Sequence, residues 1–180
     1  MTPVFGITGW KNSGKTTLTT RLIAELTGRG FRVNSIKHAH HAFDIDTPGT
    51  DSFRHREAGA AEVAIVSGNR WALMHELRDA DEPSMHDMVA RLSPADLILV
   101  EGYKRESHPK IECRRGENAD KPPLAPDDPA IVAVAADFPA DTGDLPRLDI
   151  DAVADIADFI LAYLNLPASD RTADAAAQTA

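Results

Sequence analysis

The stretch Val4-Phe5-Gly6-Ile7-Thr8-Gly9-Trp10-Lys11-Asn12-Ser13-Gly14-Lys15-Thr16-Thr17 decides the fold of this chain. Its first five residues form a short apolar run of the length and character of a buried strand. Gly9 to Thr16 then fits G-x-x-x-x-G-K-[ST], the spacing of a phosphate-binding loop. Thr17 to Leu26 follows, with Leu18, Leu22, Ile23 and Leu26 on one helical face. Strand, glycine loop and helix start together make an anion cradle. The sharp turn converges backbone N–H groups on one point, and the helix N-terminus adds unpaired N–H groups and a partial positive charge. Gly9, Lys11, Asn12, Ser13, Gly14, Lys15, Thr16 and Thr17 are the expected nucleotide-binding set. Within it Lys15 reaches the terminal phosphates and the Thr16 hydroxyl holds Mg²⁺. Lys11 either touches a phosphate or points outward.

Outside this segment the chain alternates strands and helices. Gly28 and Gly30 mark the first helix stop, and Phe31–Lys37 reads as the second strand. Ser52–Gly59 reads as a short helix. Glu62–Ser67 and Arg70–His75 read as two strands joined by Gly68-Asn69. Ser84, with Asp87 three residues on, opens a helix to Leu92 that is expected to bury Met85, Met88, Val89 and Leu92. Ala95–Glu101 holds four consecutive apolar residues, the mark of a strand covered on both faces. Pro109–Arg115 and Ile131–Ala136 read as further strands, and Asn118–Asp128 as loop. Asp151–Leu164 reads as a helix with Val153, Ile156, Phe159, Ile160, Tyr163 and Leu164 inward. The pattern predicts a three-layer α/β fold with a mainly parallel sheet, one nucleotide-binding domain over 1–166 and a disordered tail over 167–180. Ligands of such sheets bind beyond the carboxyl ends of the strands.

Composition narrows the function. The chain has 180 residues, 43% apolar, with net charge -9. That suits one core, and it argues against broad contact with nucleic acid or a membrane surface. A single cysteine, Cys113, excludes an internal disulfide and thiolate metal sites, and points to a reducing cytoplasm. No apolar run reaches the length of a membrane span.

A phosphate loop needs a carboxylate near its metal. Glu101 ends a fully apolar strand, which places it at the sheet's carboxyl edge. Asp46 is the candidate second acidic group near Mg²⁺. His38, His40 and His41, beside Asp44 and Asp46, have the spacing of a Zn²⁺ or Ni²⁺ site, or form a polar loop bonded to phosphate, backbone or a partner. Arg54 and Arg56 either contact anionic groups or lie on a solvated helix face with Glu57 as counter-ion. Lys104 and Arg105 pose the same choice. Asp137 ends a strand where a base-reading carboxylate sits, or is an ordinary strand-end aspartate.

Several segments together carry a resemblance. They are Gly9–Thr17, Lys37-His38 with His40-His41, Asp44-Ile45-Asp46 with Pro48-Gly49, and Asp51-Ser52 with Arg54-His55-Arg56. Ala58-Gly59-Ala60, Val100-Glu101-Gly102-Tyr103-Lys104 and Pro109-Lys110-Ile111-Glu112 complete them. The chain resembles the molybdopterin-guanine dinucleotide biosynthesis adapter (MobB) family over residues 3–165. The resemblance implies a P-loop protein that binds GTP with Mg²⁺ and hydrolyses it weakly. Such a protein assists the guanylyltransferase that attaches GMP to molybdopterin during molybdenum cofactor maturation. It also implies a homodimer, with Val63–His75 and Pro109–Arg115 as the candidate contact segments. Trp10-Lys11-Asn12 is bulkier and more basic than this loop usually carries. Slow hydrolysis agrees with the lack of an assignable water-positioning Gln or arginine finger. Two other functions compete: a nickel-insertion GTPase of the metallochaperone type, suggested by the histidines, and a small-molecule kinase with its acceptor near Arg54.

Overall fold

The structure, a computed structural model, describes residues 2–39 and 43–167. His40, His41 and all of the expected tail except Pro167 lie outside them. In chain order the elements are β1 (Val4–Thr8), α1 (Lys15–Gly28), β2 (Val33–Lys37), α2 (Asp51–Glu57), β3 (Glu62–Val66), β4 (Trp71–His75) and α3 (Met85–Arg91). They continue as β5 (Leu97–Glu101), β6 (Lys110–Arg114), β7 (Ile131–Ala136), β8 (Arg147–Asp149) and α4 (Val153–Tyr163). The chain divides into two compact units, Met1–His38 with Met88–Ala180, and Ala39–Asp87.

The first unit is built on a six-stranded sheet in the order β2-β5-β1-β6-β7-β8, with every pairing parallel. β1 lies inside it, so the loop after β1 opens at the carboxyl edge. Phe5 and Ile7 of β1, Leu97 and Leu99 of β5, and Ile111 and Cys113 of β6 point to one face. There they meet Leu18, Leu22 and Leu26 of α1 and Ile156 and Ile160 of α4, all buried. Each such side chain contributes about 1.5–3 kcal/mol by leaving water.

The opposite face is closed differently. β5 and β6 flank β1, so residues 102–109 must cross it. At the crossing His108 lies over Gly6, where an added Cβ would come within 2.4 Å of His108 Nε2. Gly6 is therefore fixed by close approach rather than by its dihedrals. Two buried charges hold the covering loops. The fully buried Lys110 donates from Nζ to the carbonyls of Lys104 and Glu106 and, at 3.1 Å, to Asp128 Oδ2. Glu112, also fully buried, accepts the backbone N–H groups of Leu124 at 2.9 Å and Ala125 at 3.0 Å. Lone charges are costly in such a place, and these two are stable because their partners surround them.

Three details depart from the sequence reading. β8 was not anticipated. α3 has its Ser84–Asp87 capping box, with Asp87 N–H donating to Ser84 Oγ at 3.1 Å and Ser84 N–H to Asp87 Oδ2 at 3.0 Å, but none of its residues is fully buried. Tyr163, expected inward, is 46% exposed at the last turn of α4, where helical drift carries the apolar stripe past the sheet.

The second unit pairs α2 with an antiparallel hairpin of β3 and β4. Thr50 caps α2 by accepting the Phe53 N–H. On the hairpin, Val63 and Met74 are buried. The other face carries Ala64, Val66, Trp71 and Leu73, all outward by the alternation of the strands.

Candidate functional site

The loop from Gly9 to Gly14 has the backbone of an anion cradle. Gly9 sits at φ 142°, and a Cβ there would lie 2.5 Å from Ser13 Oγ and 2.6 Å from the Cys113 carbonyl oxygen. Asn12 is also left-handed, at φ 64°, and Gly14, at φ 88°, precedes α1 with no side-chain cap. The first amides of α1 thus keep their hydrogen-bonding capacity for an external acceptor. Ser13 Oγ is buried and has no hydrogen-bond partner among the described residues. These features fit a bound phosphate.

Lys15 donates from Nζ to the Trp10 carbonyl at 2.7 Å, spanning the loop. Burial, and then the nearby Lys104 ammonium, hold its pKa below the usual lysine value. Thr16 and Thr17 are exposed at the helix start, and Lys11 is exposed on the loop. A second segment holds the loop from outside. Trp10 Nε1 donates to the Pro122 carbonyl at 2.7 Å, Asn118 Nδ2 to the Asn12 carbonyl at 3.1 Å, and Lys104 Nζ lies 4.5 Å from the centre of the Trp10 ring. The bulky Trp10 thus serves as an anchor, and Lys104 packs on it. Arg105 is exposed.

Glu101 lies where the strand pattern put it. Parallel pairing sets Ile7, Glu101 and Lys37 side by side at the carboxyl edge. The Thr16 hydroxyl donates to Glu101 Oε1 at 2.7 Å. Lys37 Nζ is 2.8 Å from the same carboxylate oxygen and 3.2 Å from Thr16 Oγ1. One hydroxyl and one carboxylate, already gathered around a cation, are a hard oxygen donor set that fits Mg²⁺. Lys37 was given no site role in the sequence, although a lysine in register with Glu101 at the end of the neighbouring strand was a readable sign. His38 continues from it, donating its backbone N–H to the Glu101 carbonyl at 2.9 Å and packing its ring 4.5 Å from that of Tyr103. Among the described residues no group of three or more His, Cys, Asp or Glu is arranged to hold a metal ion. Cys113 is buried below the loop, and burial pushes its thiol up to about 12.

Arg115 was also missed. Its Nε lies 3.1 Å from where a Cβ on Gly14 would be, directly beside the loop. Its guanidinium donates to Asp137 Oδ2 and to both oxygens of Asp151, each at 3.1 Å. Arg21 of α1 joins Asp151 at 3.0 Å. The hydrogen bond from Arg115 holds the Asp151 carboxyl below the usual carboxylate range. Burial pushes the Asp137 carboxyl up, but the Gly116 N–H at 2.8 Å and Arg115 together outweigh it, and its pKa is lowered. Asp137 is thus the strand-end anchor of this network.

Asp46 belongs to the second unit. Its Oδ1 accepts from Thr47 N–H at 3.0 Å, Thr50 Oγ1 at 3.2 Å and Ser52 Oγ at 2.8 Å. Arg56 is neither a solvated-face residue paired to Glu57 nor a free anion receptor. It binds Asp44 at 2.7 and 3.1 Å and lies 2.9 Å from Glu76, so it holds the unit together. The hydrogen bond with Asp44 raises its pKa and lowers that of Asp44. Arg54 is exposed, 3.7 Å from Asp51. One expected contact segment is excluded from edge pairing: both edges of β6 are taken within the chain, by β1 and β7.

Comparison with known proteins agrees with this architecture. The model of the family described as molybdopterin guanine dinucleotide synthesis protein B matches residues 4–137. The chain is 41% identical over 166 residues to the molybdopterin-guanine dinucleotide biosynthesis adapter protein of Escherichia coli (strain K12), covering 91% of this chain and 94% of that protein. It is 42% identical over 166 residues to the protein of the same name from Haemophilus influenzae, covering 91% and 90%. A crystal structure of molybdopterin-guanine biosynthesis protein B superposes with a TM-score of 0.69 at 26% identity, over 89% of this chain and 99% of that one. These matches support neither a nickel-insertion GTPase nor a kinase.

Proposed function

The chain belongs to the MobB family, and from that premise we propose that it is a GTP-binding adapter for the attachment of GMP to molybdopterin. The observation that carries the nucleotide reading is the convergence of an uncapped helix start, a left-handed glycine loop and the Thr16–Glu101 pair on one edge of the sheet. The amides of residues 13–17 and the Lys15 ammonium bind the phosphates. Thr16 and Glu101 hold Mg²⁺, which when bound offsets phosphate charge. Within the first unit the metal assignment rests on Thr16 and Glu101; Asp46, in the second unit, accepts hydroxyl and amide donors through Oδ1 alone. No glutamine or arginine finger is assigned to position or polarise an attacking water, so hydrolysis is weak and binding is the main task.

The same reading includes a homodimer and a partner guanylyltransferase. The hairpin supports the first. Val66, Trp71 and Leu73 are 74%, 72% and 50% exposed on one face of a two-stranded sheet, an apolar patch that needs cover. No helix among the described residues is long and apolar enough to cross a membrane.

Binding of Mg-GTP by calorimetry tests the reading, with Lys15→Ala as the control. Loss of a charge-assisted contact weakens binding about 10–100-fold. Unchanged binding in Lys15→Ala sinks the assignment. Capture of the guanylyltransferase by the intact chain, with and without GTP, tests the adapter role.

A further inference from the structure

We propose that Lys37 is a tethered counter-ion, which holds the cation position at Thr16 and Glu101 and gives it up to Mg²⁺; this rests on the phosphate-loop and metal reading above. Lys37 then sets how much free metal the binding of a nucleoside triphosphate needs.

Register brings the groups together. β2 is the edge strand of the six-stranded sheet, and its last residue, Lys37, pairs with Glu101, the last residue of β5. On parallel neighbours in register, both side chains leave the sheet at one level and toward one face. Lys37 Nζ lies 2.8 Å from Glu101 Oε1 and 3.2 Å from Thr16 Oγ1, and those two oxygens are 2.7 Å apart. The ammonium thus rests on the same two oxygens that the metal reading assigns to Mg²⁺. Two cations cannot share them, because like charges that close repel strongly where water is scarce.

The partners differ in exposure, and the difference makes the contact exchangeable. The Glu101 side chain is 11% exposed and the Lys37 side chain 58%. A carboxylate so far out of water is costly without a cation beside it. The lysine has a wetted stem, and water solvates its head as soon as it lets go. Lys37 therefore loses little by leaving, whereas Glu101 loses much by being left. Such a pair opens when another cation takes over and stays closed when none is there. Two other lysines of the site are engaged elsewhere: Lys15 with the Trp10 carbonyl at 2.7 Å, and Lys104 over the Trp10 ring.

The test measures GTP affinity of the full chain by calorimetry at a series of free Mg²⁺ concentrations, in the native protein, Lys37→Met, Lys104→Met and Lys15→Ala. Lys37→Met removes the competing ammonium and should lower the half-maximal Mg²⁺ concentration about 5–10-fold. Lys104→Met deletes a like charge nearby, one packed on Trp10 rather than bonded to Glu101, and should move that midpoint less than about 2-fold. Thermal melting in EDTA reads the same pair without nucleotide. Lys37→Met should melt below the native chain. Lys37→Met combined with Glu101→Gln should melt above Lys37→Met alone, since no carboxylate is then left without its cation. If Lys37→Met does not fold, recovery in the double variant supports the assignment and continued failure overturns it. An unchanged Mg²⁺ midpoint in Lys37→Met, an equal shift in Lys104→Met, or a double variant no more stable than Lys37→Met also overturns it. If the midpoint stays put while Lys15→Ala still weakens GTP binding, the phosphate-loop reading survives and Lys37 loses this role. If the native chain binds no triphosphate, both fall.

Discussion

The two faces of the parallel sheet are closed by opposite means. Under α1 and α4 the contacts are almost wholly apolar, with Phe5, Ile7, Leu18, Leu22, Ile156 and Ile160 all buried. On the other face, beside the buried Ile98, Val100 and Val134, a loop crosses β1 where a helix would ordinarily return the chain, and Lys110, Glu112 and His108 are buried there. A helix satisfies its own backbone and needs only an apolar stripe to dock. A loop leaves N–H and C=O groups behind, and they must find partners. Lys110 gathers carbonyls and Glu112 gathers amides for that reason. A buried charge thus takes over the organising role of a helix where its complement is backbone.

Substitutions sharpen this contrast. The largest effect is expected from Lys110→Ala, about 3–5 kcal/mol in urea unfolding, because Asp128 and two carbonyls lose their donor. Lys110→Met should cost clearly less, and equal losses would show that packing alone matters there. Leu22→Ala, on the helix side, should cost about 3 kcal/mol through a cavity. If its loss were matched by a change in hydrogen-exchange protection of the 102–109 segment, the two faces would not be independent.

A third expectation concerns pH. Burial, then the neighbouring Lys110, lowers the pKa of His108 to about 4. The unfolded side chain titrates near ~6.5. Between those values the unfolded chain holds a proton that the folded chain refuses. Stability is therefore full above the upper value, falls as pH drops through the window and levels off below about 4. The contribution is up to about 3 kcal/mol, and it should vanish from the pH dependence of His108→Leu. The smallest effect is expected from Gly6→Ala, about 1–3 kcal/mol by overpacking against His108, and partly recovered in the Gly6→Ala, His108→Ala double variant. Additive losses would break the proposed contact.

How much of this was legible in the sequence follows from what is local. β1, the glycine loop and the start of α1 are contiguous, and each signal supports the next. β5 announced its double burial by four apolar residues in a row, and the hairpin by its Gly68-Asn69 turn. Glu101 and Thr16 were both legible as groups meeting at the carboxyl edge, because each follows from a strand end or a motif position. Lys37, Arg115, Lys110 and Glu112 were not assigned these roles, since their partners are far along the chain and polar residues carry no periodic signal. β8 is only three residues long, with Leu148 as its one apolar side chain, so no alternation could reveal it. Arg56 was weighed as a contact for anionic groups or as a partner of Glu57, whereas its partners Asp44 and Glu76 come from other segments.

The grip on Trp10 and Asn12 has a mechanical consequence. Residues 118–122 hold the glycine turn at two points, and the same run of chain is clasped by Glu112 through Leu124 and Ala125. Any displacement of the turn must either break those links or pull on a strap that ends beneath the far side of the sheet. A shift of the glycine turn would thereby be felt on the reverse face of the sheet.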